Sequence, residues 1–229
     1  MEDIMVQTAL AARVYLYRMF QAVFGDDPTE ELLAIVFSDT TNEATTCFDG
    51  ADADEYRAAV SSLAKCRGAF EANRAEYLEA AKRDYTHLLV GPEDLKAPPW
   101  ECVHLTNERV LFQEATLKVR EAYRSENMLP SGYPHVSDDH IAIELDFIAK
   151  LSEKARQAFD VGDVEEYRRL LEAQRTFVNE HPAKWAKKYA EALEDAAFGS
   201  LYSCMGALCA AFLPLDVEVI GELLEEDDK

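Results

Sequence analysis

Apolar residues recur at intervals of three and four along nearly the whole chain, the spacing that lines up one face of an α-helix. No stretch stands out with the two-residue alternation of a half-buried strand. The first run predicts a helix from about Asp3 to Phe24, stopped by Gly25-Asp26-Asp27-Pro28, where glycine, turn and proline follow in succession. A short helix over about Thr29–Phe37 comes next, and the polar stretch Ser38–Gly50 reads as loop. Two helices are expected within Ala51–Val90, divided near Gly68. From Gly91 to His104 the pattern stops. Pro92, Pro98 and Pro99 each remove a backbone donor and fix φ, so no regular helix is expected there. Asn107 is a candidate N-cap for a helix to about Arg124, with Phe112, Ala115, Val119 and Ala122 on one face.

A second break, Ser125–Val136, holds Pro130, Gly132 and Pro134 and reads as a hinge. It divides the chain into an N-terminal lobe of about residues 1–124 and a C-terminal lobe of about 137–229. Ser137 is the expected N-cap of the next helix, with Asp138 and Asp139 in its first turn and Ile141, Leu145 and Ile148 along one face. Asp163 caps another helix that ends near His181, and Pro182 opens the helix carrying Trp185. Gly199 separates that helix from an apolar one over Ser200–Phe212, and Pro214 is expected to start a last short helix. The fold class is therefore all-α, one helical domain of two lobes.

Composition supports helices: alanine, leucine and glutamate recur and glycine is scarce, at 9 of 229 residues. Apolar residues make up 48%, enough for a real interior. Acidic residues outnumber basic ones 44 to 23, a formal charge of -21 that repels nucleic acid and anionic membranes and attracts basic partners. The five cysteines form no C-x-x-C pair, so no disulfide framework is expected and a reducing compartment suits them. The N-terminus lacks a basic region and a cleavage signature, so no secretory peptide is expected. The apolar stretch Ala207–Leu215 is too short to span a bilayer. Phosphate-loop, dinucleotide-fold, H-E-x-x-H and G-x-S-x-G patterns are all missing.

Three segments carry candidate chemistry. The first is Tyr85–Pro92 with Ala97–His104, where Pro98, Pro99 and Trp100 form either a rigid cap on the core or an apolar lip beside Glu101. The cluster Glu101, Cys102 and His104 has no second group to complete a zinc set, so no metal is expected. The second is Asp138–Phe147, where His140 and Glu144 share a helix face as an acid–base pair or as a structural hydrogen bond. The third is Phe177–Trp185, in which His181 reads as a cap and Trp185 as core. A hydrolase using a nucleotide or a metal would draw on Glu101, Asp139, His140 and Glu144.

Together these segments resemble the TorD/DmsD family of redox-enzyme maturation chaperones. Its pattern Y-x-x-L-F-x-G-P, then P-P-x-E-S-x-Y, is matched by Tyr85…Gly91-Pro92 and Pro98-Pro99-Trp100-Glu101-Cys102-Val103-His104. Its E-P-D-D-H-I-G-x-E-L-x-F-M is similar to Val136–Ile148, and its F-x-x-x-H-x-x-x-W to Phe177, His181 and Trp185. Cys102 replaces a usual serine, His104 a tyrosine, Ala142 a glycine, and Val136-Ser137 a Glu-Pro pair. The resemblance implies an all-helical cytoplasmic chaperone, not an enzyme and without a cofactor of its own. It would bind the twin-arginine leader of a molybdopterin-containing DMSO- or TMAO-reductase-type subunit, and the mature part of that subunit, as a monomer or a domain-swapped dimer. The residues it implies for leader binding are Leu88, Leu89, Pro98, Pro99, Trp100, Glu101, His104, Asp138, Asp139, His140 and Glu144. Trp100, Leu88 and Leu89 would supply affinity; Glu101, Asp138 and Asp139 would select arginine; His140 would orient a carboxylate or touch the peptide.

Overall fold

A computed structural model describes residues 3–50, 53–91, 95–106, 108, 110–130 and 136–226, and among them it is built of helices without a strand. Helix α1 (Asp3–Gly25) buries Val6, Leu10, Arg13, Tyr17, Phe20 and Phe24, a stripe at alternating three- and four-residue steps. It packs along α8 (Ile141–Val161), which in turn packs on α9 (Val164–Glu180). Helix α10 (Pro182–Ala197) packs on α11 (Leu201–Glu226), which also touches α1, α9 and α4 (Asp54–Ala72). Mostly apolar around its circumference, α11 runs through the middle of the bundle, with Leu201, Met205, Leu208, Phe212 and Ile220 buried. The buried side chains of these helices form one continuous core.

That core encloses a polar knot. Arg13 donates from Nε to Asp216 Oδ1 at 2.5 Å and from Nη2 to Gln174 Oε1 at 2.8 Å. Tyr17 donates to Asp216 Oδ2 at 2.6 Å, and Ser152 to Gln174 Oε1 at 2.7 Å. Arg13, Asp216, Gln174 and Ser152 are all fully buried, so helices α1, α9 and α11 are tied by charge-assisted bonds and α8 joins them through the neutral Ser152–Gln174 bond. Closer to the surface, Arg18 spans α1 to α8, reaching Asp146 at 2.6 Å and Glu153 at 2.9 Å.

Several boundaries differ from those the sequence predicts. Ser38–Gly50 is not all loop, because Asp39–Thr46 forms α3 after α2 (Glu30–Val36). Ser38 caps it by accepting from Thr41 N at 3.2 Å, and Thr41 and Thr45 are buried on hydrogen bonds that their hydroxyls and carbonyls make, including Tyr15 to Thr41 at 2.7 Å. The break after α4 comes at Asn73, whose side chain accepts from Glu76 N and starts α5 (Arg74–Tyr85); Gly68 stays inside α4. A π-turn over Thr86–Val90 follows. A short helix, α6 (Glu101–Thr106), occupies part of the expected irregular stretch, since both prolines lie just ahead of its first turn.

The expected cap Asn107 lies outside the described residues, and α7 (Glu114–Ser125) begins later than predicted. Phe112 is therefore off the helix, at φ 61° and largely exposed, while Val119 is fully buried. Helix α8 is capped by His140, not Ser137. Pro214 sits within α11 instead of opening a new helix. Its ring is exposed, and its missing N–H leaves the Ala210 carbonyl without that helical bond. Gly162 at φ 73° ends α8, and Asp163 starts α9 by accepting from Glu166 N at 3.1 Å, the cap the sequence predicts. Part of the predicted hinge, residues 131–135, lies outside the described residues.

Candidate functional site

The proline segment and the aspartate segment meet as two strands of backbone. Glu101 N donates to Asp139 O at 3.0 Å and Ile141 N to Pro99 O at 2.9 Å, an isolated antiparallel bridge centred on Trp100 and His140. Helices α6 and α8 both start at this bridge, and the first N–H groups of a helix have no partner within it. Asp139 supplies one for α6 from 37 residues away, its Oδ2 accepting from Cys102 N at 3.0 Å. Its other oxygen accepts from the Ser137 hydroxyl. His140 supplies one for α8, with Nδ1 accepting from Ala142 N at 3.1 Å, so that nitrogen carries no proton. Burial moves the His140 pKa down to about 4, which keeps the imidazole neutral.

Each remaining carboxylate is engaged through at least one oxygen, while Asp138 Oδ1 and Glu144 Oε1 are buried without a hydrogen-bond partner. Asp138 Oδ2 accepts from Nε and Nη2 of Arg120 on α7 at 2.9 and 2.5 Å, and its carbonyl accepts from the Tyr123 hydroxyl at 2.9 Å. Glu101 lies with both oxygens against His181 Nδ1, at 3.0 and 3.3 Å. Glu144 Oε2 accepts from the Trp185 indole at 3.2 Å. Burial, followed by the charges of Glu101 and Asp139, holds the Glu144 carboxyl well above the usual carboxylate range and favours its protonated form. His104 stacks on Trp185 with ring centroids 5.2 Å apart, and its Nε2 donates to Pro98 O at 2.7 Å. Burial lowers the His104 pKa.

The three segments singled out in the sequence are thus brought together, but they face inward. Glu101 is 1% exposed, and Asp138, Asp139 and Glu144 are fully buried. Pro98 and Pro99 are buried, as are Leu88 and Leu89 in the π-turn. Trp100 is half-buried, edge-on to His140 at 5.9 Å. The arrangement can lock two helix starts and the α6 segment onto α8 and α10. Arg120, which holds Asp138, gave no signal in the sequence beyond its place on a polar helix.

A small concavity of about 260 Å³ reaches this site at Phe177 and His181, and one of about 730 Å³ lies elsewhere, among α4, α10 and α11. Helices α4 and α11 turn small residues toward it, including Ala59, Ala69, Ala207 and Ala211, so their side chains are too short to fill the space. Cys66 and Cys204 also line it. Its charged lining holds Glu55, Glu191, Glu194 and Asp195 against Lys65 and Lys187. Lys187 pairs with Glu55 at 3.6 Å, joining α10 to α4. Phe198 at the end of α10 is 85% exposed. The sequence shows this groove only as short side chains on facing helix stripes, a signal that means nothing until the helices are known to be neighbours.

The family model of the nitrate reductase delta subunit matches residues 49–191. The chain is 26% identical over 216 residues to the chaperone protein TorD of Vibrio cholerae, covering 93% of this chain and 94% of that one. It is 28% identical over 172 residues to the chaperone protein TorD of Aliivibrio fischeri, covering 75% and 78%. To the Tat proofreading chaperone DmsD of Salmonella typhi it is 27% identical over 147 residues, 64% of each chain. No helix among the described residues is long and apolar enough to cross a membrane.

Proposed function

The chain belongs to the TorD/DmsD family of redox-enzyme maturation chaperones, and on that premise we propose that it holds the twin-arginine leader of a molybdopterin-containing enzyme in the cytoplasm, delaying export until the cofactor is in place. It acts by binding, without turnover. The observation that carries the reading is the groove of about 730 Å³ among α4, α10 and α11, apolar in its alanine floor and with carboxylates in excess of lysines around it. A leader combines an apolar stretch with two guanidinium groups, and the groove offers a counterpart to each. Apolar burial at about 25 cal/mol per Å² supplies affinity, while each exposed carboxylate–arginine pair adds only about 0–1 kcal/mol and serves selection. The knot of buried Glu101, Asp139 and Glu144 with the partly exposed His140 is the frame: it fixes the α6 segment against α8 and α10, the helix that forms one wall of the groove.

Calorimetric titration with a synthetic twin-arginine leader, a Lys-Lys control and two salt concentrations tests this. Salt-tolerant binding that favours Arg-Arg, and that is lost in Ala207→Trp, is expected. Binding by Ala207→Trp equal to that of the parent protein would remove the groove from the reading. A folded protein that binds no such leader would overturn the function.

A further inference from the structure

Two of the five cysteines face each other. Cys66 on α4 and Cys204 on α11 stand 138 residues apart in sequence, with Sγ atoms 2.7 Å apart, closer than unbonded thiols pack. Both are unbridged, each only 5% exposed, and both line the groove. Their other neighbours are main-chain carbonyls, of Gly199 and Ser200 for Cys66 and of Ser62 for Cys204, at 3.8–3.9 Å. No such pairing exists for the remaining cysteines: Cys47 is exposed by itself, and Cys102 and Cys209 are buried without a second thiol in contact.

We propose that Cys66 and Cys204 are a dithiol site for low-molecular-weight disulfides of the glutathione class, closing to an internal disulfide that ties α4 to α11 across the floor of the groove. The Cys66 thiolate attacks one sulfur of the small disulfide, breaking its S–S bond and forming a mixed disulfide; the released thiolate takes up the Cys66 proton. Cys204 then attacks the Cys66 sulfur, forming the Cys66–Cys204 bond, and the second small thiol leaves with the Cys204 proton. The protein dithiol gives up two electrons, the small disulfide gains them, and two small thiols result.

The division of roles follows from the surroundings. The Cys204 thiol hydrogen-bonds to the Cys66 sulfur and holds its pKa below the usual thiol range against the opposing effect of burial, while the same contact and burial push Cys204 up. Burial pushes Cys102 up to about 12 and Cys209 upward as well. An attacking thiol works best with a pKa near the ambient pH, which singles out Cys66. A groove of about 730 Å³ has room for the small disulfide beside it.

The test is incubation of the whole folded chain in oxidised and reduced glutathione buffers of graded ratio, followed by intact mass and peptide mapping. The expected product has lost two hydrogens, carries a single link between the Cys66 and Cys204 peptides, and reverts with dithiothreitol. The link should form equally in Cys47→Ser and be absent from Cys66→Ser. The wild-type map decides the matter even where a variant folds poorly. A persistent glutathione adduct without an internal link, both thiols left free under excess oxidant, or a link through Cys47 would each overturn the proposal. None of these readouts involves a leader peptide, so the site stands or falls apart from the chaperone reading.

Discussion

Acid should destabilise this protein through His140 by an amount that can be separated from every other titration. The imidazole pKa is about 4 in the fold against 6.5 for an ordinary histidine. The unfolded chain therefore takes up the proton first. The stability that neutral His140 contributes is whole above about pH 6.5 and is lost as the pH falls toward about 4. A gap of about 2.5 pH units corresponds to about 3 kcal/mol, at about 1.36 kcal/mol per unit. His140→Asn removes the titration yet keeps a side-chain acceptor for Ala142 N, because asparagine is a good N-cap. Urea unfolding of both proteins at steps across this range gives two stability curves. Carboxylates titrate alike in both and cancel in the difference, as does the constant loss of ring packing against Trp100. The wild type should lose about 3 kcal/mol more than the variant between about pH 7 and 4. Parallel curves would mean that the imidazole ionises freely in the fold, and the assignment of unprotonated Nδ1 as the cap of α8 would fall with it.

Three further outcomes can be checked. Asp216→Ala leaves the Arg13 guanidinium buried without a counter-charge and should cost about 3–5 kcal/mol in chemical denaturation, with Asp216→Asn costing less. Glu144→Gln keeps an acceptor for the Trp185 indole while removing a carboxyl whose ionisation the fold resists. Stability from the raised carboxyl is present below its ordinary value of 4.5 and lost as pH rises, so thermal melts should favour the variant increasingly from acid toward pH 8; the reverse trend would refute the burial argument. A Cβ at Gly206 would stand 2.7 Å from Leu193 Cδ1 and 3.4 Å from Ala190 Cα, so Gly206→Ala should lower the melting temperature by overpacking worth about 1–3 kcal/mol.

The helices were legible where apolar spacing and local caps agreed, as at Asp163 and at Pro182. They were misread where a partner distant in sequence decides. Ser38–Thr46 looks like loop because threonines and asparagine disfavour helix, yet Tyr15 and Tyr56 meet its polar groups and α3 forms. Ser137 has the chemistry of a cap, but the bridge to Pro99 delays the start of α8 to Ile141, and Ser137 serves Asp139 instead. The grouping of Glu101, Asp139, His140, Glu144, His181 and Trp185 was legible through the family pattern. Its inward orientation was not, because a carboxylate in a sequence reads as solvated until its partner is known. Arg13 shows the same limit: on an otherwise apolar stripe it looks like an interruption, and only Asp216 makes it core.

The Arg13–Asp216 pair also sets a schedule for the molecule's own birth. The two residues are 203 positions apart, and at about 5–20 residues per second the ribosome delivers the second roughly 10–40 s after the first. Throughout that interval the Arg13 guanidinium has only the neutral amide oxygen of Gln174 to meet and no counter-charge, although α8 is made well before α11. The last helix is thus the arbiter of completion. A chain without Asp216 leaves the Arg13 guanidinium on α1 without its counter-charge.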